Sequence, residues 1–208
     1  MILLTGASGY IGSRLLRRLE WLEAPVRCLV RDTRSLPHRG FRSELVQGDL
    51  LDPVSLDSAF KDVDVAYYLV HSMNDGAGFE RLELRCAENF AKAAKNAGVK
   101  RIVYLGGLAH GTNLSPHMRS RAEVGDVLRS SGIPVLEFRA SVVIGSGSAS
   151  FDMIRSLVET LPVMVIPRWV REQAQPIAIE DVISYLLERS EEHTSELQSH
   201  SFISYAVF

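Results

Sequence analysis

The chain has 208 residues, of which 46% are hydrophobic and 23% are charged, and its formal net charge is −2. This is the composition of an ordinary soluble globular protein of about one domain, and it gives no reason to expect nucleic acid or an anionic membrane as a partner. No segment is apolar over enough residues to form a signal peptide or to cross a bilayer.

Short apolar runs alternate with stretches of helical period over the first 188 residues. The runs predict strands over residues 2–4, 26–30, 44–47, 63–70, 101–105 and 135–138, with short extended segments over 163–166 and 176–179. The helical stretches predict helices over 9–22, 52–60, 79–97, 116–131, 151–160 and 181–188. This alternation predicts an α/β fold, a doubly wound parallel sheet whose ligand site lies at the carboxyl ends of the strands.

The two cysteines, Cys28 and Cys86, lie far apart in apolar patterns and lack the spacing of metal ligands or redox pairs. We expect both to be reduced residues in or near the core, which is typical of a cytoplasmic protein. The sequence predicts no metal site.

The last twenty residues differ from the rest. Arg189 to His200 resembles the translation of a common DNA-sequencing adapter, and Ile203 to Phe208 resembles a further part of that adapter in the same frame. We therefore expect an incomplete Rossmann domain over residues 1–188 and a non-native, disordered tail over 189–208. The alternative is a genuine polar extension.

A glycine-rich turn joins the first predicted strand to the first predicted helix. It reads Thr5-Gly6-Ala7-Ser8-Gly9-Tyr10-Ile11-Gly12. Gly6 allows a tight turn, Gly9 lets the backbone approach a pyrophosphate, and Gly12 lets the helix pack closely on the sheet. The free N–H groups of the helix start then bind the phosphates. The turn predicts a dinucleotide site formed by Gly6, Ser8, Gly9, Tyr10, Ile11 and Gly12; the alternative is a turn without a ligand.

The residues at the end of the second strand indicate whether the chain prefers NADP or NAD. Arg31 ends this strand and Asp32 follows it. A guanidinium suits the 2′-phosphate of NADP, whereas a carboxylate at this position bonds the ribose hydroxyl of NAD. Arg31 therefore favours NADP, and Asp32 keeps NAD as an alternative. Arg14 is either a second phosphate contact or part of a solvated helix face.

The glycine spacing, Gly-x-x-Gly-x-x-Gly, resembles that of the short-chain dehydrogenase/reductase superfamily, particularly its extended and atypical members. This resemblance implies further cofactor contacts. Asp49 and Leu50, after the third strand, match the turn that contacts adenine, with Asp49 accepting from the adenine amino group. Leu69, Val70 and His71, at the end of the fourth strand, are implied to lie beside the cofactor's ribose.

The catalytic pattern of that superfamily is altered in this chain. The fifth strand leads to Gly106 and Gly107 where the resemblance implies a serine, and His117 and Arg121 stand where it implies the Tyr-x-x-x-Lys pair. His117 and Arg121 lie one helical turn apart on one face, so an acid–base role for His117 beside a cation is chemically sound. The alternative is that both only line the cofactor cleft.

Three segments narrow the resemblance. They are residues 65–73, 139–151 and 161–164, which look like those of a bacterial group of atypical members, often labelled NAD(P)H-binding or epimerase-like, with a C-terminal domain of unknown function. The resemblance implies that this chain lacks that domain. It also implies an NADP-dependent oxidoreductase or epimerase acting on an unknown carbonyl or alcohol. The alternatives are a non-catalytic NADP(H) sensor or assembly factor, related to the NmrA-type regulators, and a fragment without a function of its own.

Overall fold

The sheet consists of six parallel strands. The computed structural model describes residues 1–36, 42–71, 78–108, 114–160 and 175–188. The strands are β1 (Ile2–Thr5), β2 (Val26–Val30), β3 (Glu44–Gln47), β4 (Val65–Tyr68), β5 (Arg101–Gly107) and β6 (Val135–Ala140). Their order is β3-β2-β1-β4-β5-β6. The order reverses between β1 and β4, and in a doubly wound fold the ligand crevice lies at this reversal.

Helices cover both faces of the sheet. They are α1 (Tyr10–Trp21), α2 (Phe79–Asn96), α3 (Pro116–Ser130), α4 (Ala149–Thr160) and α5 (Ile179–Glu188). A separate pair of two-residue strands, β7 (Val143–Ile144) and β8 (Ile177–Ala178), follows β6. None of the helices among the described residues is long and apolar enough to span a membrane.

Adjacent residues of each strand alternate between two cores. Leu3 and Tyr68 pack with α2 and α3 on one face, whereas Leu4 and Tyr67 pack with α1 and α5 on the other. The predicted doubly wound α/β fold is confirmed. Cys28 is buried, Cys86 is half-buried, and both are unpaired.

Several boundaries differ from prediction. The prediction of a helix over residues 52–60 was wrong, because the only helical residues of this segment form a short 3-10 turn, Pro53–Leu56. The buried Arg27 side chain of β2 donates hydrogen bonds to the Ala59 and Lys61 carbonyls, which an α-helix would use internally. Strands β5 and β6 each extend two residues beyond the prediction, and β4 is shorter than predicted. Residues 163–166 and the predicted tail lie outside the described residues.

Tyr67 joins the sheet to α5. Its hydroxyl donates a 2.8 Å hydrogen bond to the carbonyl of Leu186, in the last turn of α5, where carbonyls lack an intrahelical partner. We expect Tyr67→Phe to lower the free energy of unfolding by about 1 kcal/mol, the usual net value of such a bond. Urea unfolding measures it. Ser184→Ala, on the exposed face of α5, is the control, and an equal loss in both variants would contradict the assignment.

Candidate functional site

The glycine turn packs directly on the end of β4. Gly6 has φ +73°, and a Cβ there would lie 2.5 Å from the carbonyl oxygen of Leu69. A Cβ on Gly12 would overlap the carbonyl oxygen of Gly6, and the N–H of Gly9 bonds that same oxygen at 2.9 Å. The turn therefore has room for glycine alone at positions 6 and 12.

Helix α1 begins with its N–H groups available. Gly9 is its N-cap and supplies no side-chain hydrogen bond, and the first N–H groups of any helix lack intrahelical acceptors. Ser8 and Gly9 are exposed, and Ile11 is half-buried. This helix start fits a bound phosphate, which the helix dipole and the free N–H groups both favour.

Thr5 joins β1 to β4 through hydrogen bonds that residue spacing within one segment does not predict. Its hydroxyl donates to the carbonyl of Tyr67 at 2.8 Å and accepts from the N–H of Leu69 at 3.3 Å. The side chain is buried. Because these bonds fix the two strand ends on either side of the topological reversal, they set the floor of the crevice.

Arg14 and Tyr10 hold the loop that follows β7. The Arg14 guanidinium donates to the Ser146 carbonyl at 2.6 Å and lies 4.0 Å from the centre of the Tyr10 ring. The Tyr10 hydroxyl is buried and has no hydrogen-bond partner among the described residues. A Cβ on Gly145 would lie 2.5 Å from this hydroxyl. Arg14 thus bonds this loop in the structure.

Arg31 and Asp32 lie in different settings after β2. Arg31 is exposed, and its backbone carbonyl accepts a 3.1 Å bond from the Gln47 side chain. The Asp32 carboxylate accepts bonds of 2.8–3.1 Å from the side chain and N–H of Arg34. The side-chain bond from Arg34 holds the pKa of Asp32 below its ordinary value. The acidic group that would compete for an NAD ribose is therefore already paired.

The turn after β3 is fixed by its own side chains. One Asp49 carboxylate oxygen accepts from the Leu51 N–H at 2.9 Å, and the Leu50 carbonyl accepts from Asn89 of α2 at 2.7 Å. The Leu50 side chain is 7% exposed and belongs to the core. Leu69 is half-buried beneath the glycine turn.

The predicted catalytic pair is divided between surface and interior. His117 is exposed in the first turn of α3, with its ring 4.6 Å from that of Phe79. Arg121 is half-buried, and burial lowers its pKa from the ordinary value. A Cβ on Gly107 would lie 3.0 to 3.1 Å from Met118 and Arg121 side-chain atoms. The side chains of Met118 and Arg121 thus occupy the space beside the end of β5, where the resemblance implied a serine.

A cluster of three polar side chains, which the sequence did not predict, lies between the end of β4 and helices α2 and α3. Nδ1 of His71 is 3.3 Å from Oε1 of Glu83, and the hydroxyl of Ser120 donates to Oε2 of Glu83. Glu83 and Ser120 are 7% and 0% exposed. No group of three or more metal-binding side chains occurs in the part of the chain that the structure describes.

Comparison with known proteins identifies the family. The model of the NmrA-like family matches residues 1–160, which is most of the chain. The chain belongs to the NmrA-like family. The implied membership of the extended, epimerase-related superfamily is thereby confirmed.

Two curated relatives of this NmrA-like chain are reductases. The (4-alkanoyl-5-oxo-2,5-dihydrofuran-3-yl)methyl phosphate reductase of Streptomyces griseus is 29% identical over 80% of this chain and 58% of its own length. The ceramide reductase of Caulobacter vibrioides is 27% identical over 90% of this chain and 60% of its own length. The NmrA-like chain thus spans about three fifths of these relatives.

Two solved structures show the same fold. MoeE5 in complex with UDP-glucuronic acid and NAD has a TM-score of 0.76 at 21% identity, over 93% of this chain and 73% of its own. The Citrobacter sp. triphenylmethane reductase complexed with NADP(H) has a TM-score of 0.59 at 26% identity, over 69% of this chain and 50% of its own.

The tight packing of the glycine turn gives a testable contrast between two glycines of the NmrA-like chain. A Cβ on Gly12 collides with backbone, whereas one on Gly9 meets only the Gly6 carbonyl at 3.2 Å. We expect Gly12→Ala to lower the free energy of unfolding by about 1–3 kcal/mol, as overpacking does. Gly9→Ala, the control, should lose clearly less in urea unfolding. Equal losses would mean that the turn relaxes freely.

Proposed function

We propose that this chain binds NADP(H) at the carboxyl edge of its sheet and serves an oxidoreductase that acts on a carbonyl or alcohol. The observation that carries the proposal is the glycine turn: two positions that exclude any side chain lead into a helix start whose first N–H groups lack intrahelical acceptors. The negative charge of a dinucleotide's pyrophosphate suits this helix start. When bound, the nicotinamide would supply or accept a hydride.

The setting of Arg31 supports NADP over NAD. Arg31 is exposed at the end of β2, while Asp32 is bonded to Arg34. Asp49 follows β3, the strand that pairs with β2, so Arg31 and Asp49 follow neighbouring strand ends. In this arrangement Arg31 would bond the 2′-phosphate and Asp49 the adenine amino group.

The relatives support reductase chemistry. Both curated relatives are reductases, and triphenylmethane reductase was crystallised with NADP(H). Because this chain spans about three fifths of the curated relatives, the substrate and the activity of the whole protein are part of the proposal. His117 and Arg121, at the start of α3, would border the nicotinamide side of the cleft.

A non-catalytic NADP(H) sensor is the second candidate. The observation that favours it is the crowding at Gly107, where Met118 and Arg121 fill the space beside a missing serine. Oxidation of NADPH across a panel of quinones, aldehydes and keto-sugars separates the two functions. Turnover with any member supports the oxidoreductase, and a flat panel with intact NADPH binding supports the sensor.

Cofactor choice is tested by Arg31→Ala. We expect the Kd for NADPH to rise about tenfold, since the variant loses a charge-assisted bond to the 2′-phosphate, while the Kd for NADH changes less than about twofold. Fluorescence titration with each nucleotide measures both values. Arg17→Ala, an exposed arginine on the outer face of α1, is the control. Equal weakening of both nucleotides by Arg31→Ala would contradict the 2′-phosphate assignment.

Arg34 is expected to act through Asp32. In Arg34→Ala the Asp32 carboxylate loses its partner and presents an uncompensated negative charge beside Arg31. NADPH should then bind severalfold more weakly, with NADH unchanged or tighter, because the freed carboxylate repels a phosphate and accepts from a ribose hydroxyl. The double variant Arg34→Ala with Asp32→Asn should restore the preference for NADPH. Failure of this restoration would remove Asp32 from the explanation.

A further inference from the structure

We propose that His71, oriented by Glu83, is the proton-transferring residue of the cleft. This inference rests on the proposed oxidoreductase function and assigns the acid–base role to a residue other than His117. Three observations carry it: the position of His71 at the crevice, its contact with a buried carboxylate, and the unbonded nitrogen on the other side of its ring.

His71 lies at the crevice that the glycine turn forms. It is two residues beyond Leu69, whose carbonyl lies against Gly6 and whose N–H is bonded by Thr5. The backbone leading to His71 is therefore fixed to the floor of the crevice. By contrast, His117 is exposed in the first turn of α3, with its ring 4.6 Å from that of Phe79.

Glu83 fixes the orientation of the imidazole. Its carboxylate is 7% exposed and receives the Ser120 hydroxyl on one oxygen and Nδ1 of His71 on the other, at 3.3 Å. A carboxylate buried to this degree requires such partners. A carboxylate on Nδ1 keeps the proton there and leaves Nε2 as the exchanging nitrogen, as in His–carboxylate pairs of other enzymes.

The other nitrogen of the ring has no protein partner. Nε2 of His71 is buried and has no hydrogen-bond partner among the described residues. Because an unpaired buried polar atom destabilises a folded protein, such an atom in a native structure indicates a functional role. In this proposal, a substrate carbonyl or hydroxyl oxygen is its partner.

Other titratable groups of the described residues surround this pair. They are Arg121 of α3, Tyr68 of β4, Tyr104 of β5 and Cys86 of α2. Burial raises the pKa of both tyrosines and of the Cys86 thiol, so these stay neutral at neutral pH, while Arg121 stays charged. None of these four groups therefore exchanges a proton near neutral pH.

In the proposed step, Nε2 of a protonated His71 would donate its proton to the oxygen of a substrate carbonyl, and the imidazole would become neutral. Bound NADPH would supply a hydride to the carbonyl carbon, so that the carbonyl would be reduced to an alcohol and NADPH oxidised to NADP⁺. After product release, solvent would return a proton to the imidazole.

The first test is an NMR measurement of the imidazole nitrogens in the full chain, with the His71 signal assigned by its loss in His71→Gln. Glu83→Gln should shift the Nδ1 resonance of His71, because the Nδ1–H loses its charged acceptor. Glu88→Gln, which changes an exposed carboxylate of the same helix, is the control and should leave the resonance unchanged. An unchanged Nδ1 resonance in Glu83→Gln would overturn the pairing.

The second test adds NADPH to the same sample. We expect the His71 signal to shift and to show a nuclear Overhauser effect to the nicotinamide C4 protons. If NADPH binds by fluorescence while the His71 signal does not respond, this inference falls and the proposed cofactor site stands. If NADPH does not bind, the proposed function falls, and this inference with it.

The third test separates proton transfer from binding. With a panel substrate that supports NADPH oxidation, His71→Gln should lower kcat at least 100-fold, the usual contribution of a general acid, and leave the Kd for NADPH within about twofold. A parallel loss in NADPH binding would make His71 a cofactor contact, and unchanged turnover would return the role to His117; either result overturns the assignment. A flat panel with intact NADPH binding would overturn it too, in favour of the sensor.

Discussion

The contact between Gly6 and the Leu69 carbonyl is the constraint on which the site depends. A side chain at position 6 would enter the space of the β4 backbone, so the two strand ends meet only because this residue is glycine. The meeting point is also where the strand order reverses. Thr5 adds hydrogen bonds to Tyr67 and Leu69 across the same junction. The crevice, the helix start and the position of His71 all follow from this one close approach.

Charged groups lie in two different environments along the carboxyl edge. The Asp32–Arg34 pair is in solvent, with side chains 48% and 88% exposed, so it contributes little to stability and is free to respond to a nucleotide. Glu83 is buried with His71 and Ser120, where removal of a partner leaves a charge that water cannot reach. The exposed Asp32–Arg34 pair is therefore suited to selecting a ligand. The buried Glu83 is suited to fixing the orientation of the His71 side chain.

The sequence predicted the fold well where local signals agree with the tertiary structure. Strands over 26–30 and 44–47 matched residue for residue, since apolar runs bounded by turn residues have few alternatives. The prediction over residues 52–60 was wrong because Arg27, distant in sequence, bonds carbonyls of that segment. Arg14 was interpreted from its helix alone, whereas its partner Ser146 lies 132 residues away.

The sequence by itself determined the strand–helix alternation, the glycine turn and the arginine that follows β2, because each is encoded within a few neighbouring residues. The tertiary structure alone decided which polar groups act together. His71, Glu83 and Ser120 come from three separate elements, and no local period brings an imidazole to a buried carboxylate. It also showed that Met118 and Arg121 fill the space beside Gly107. Such contacts depend on the packing of helices on the sheet, which residue spacing within one segment does not specify.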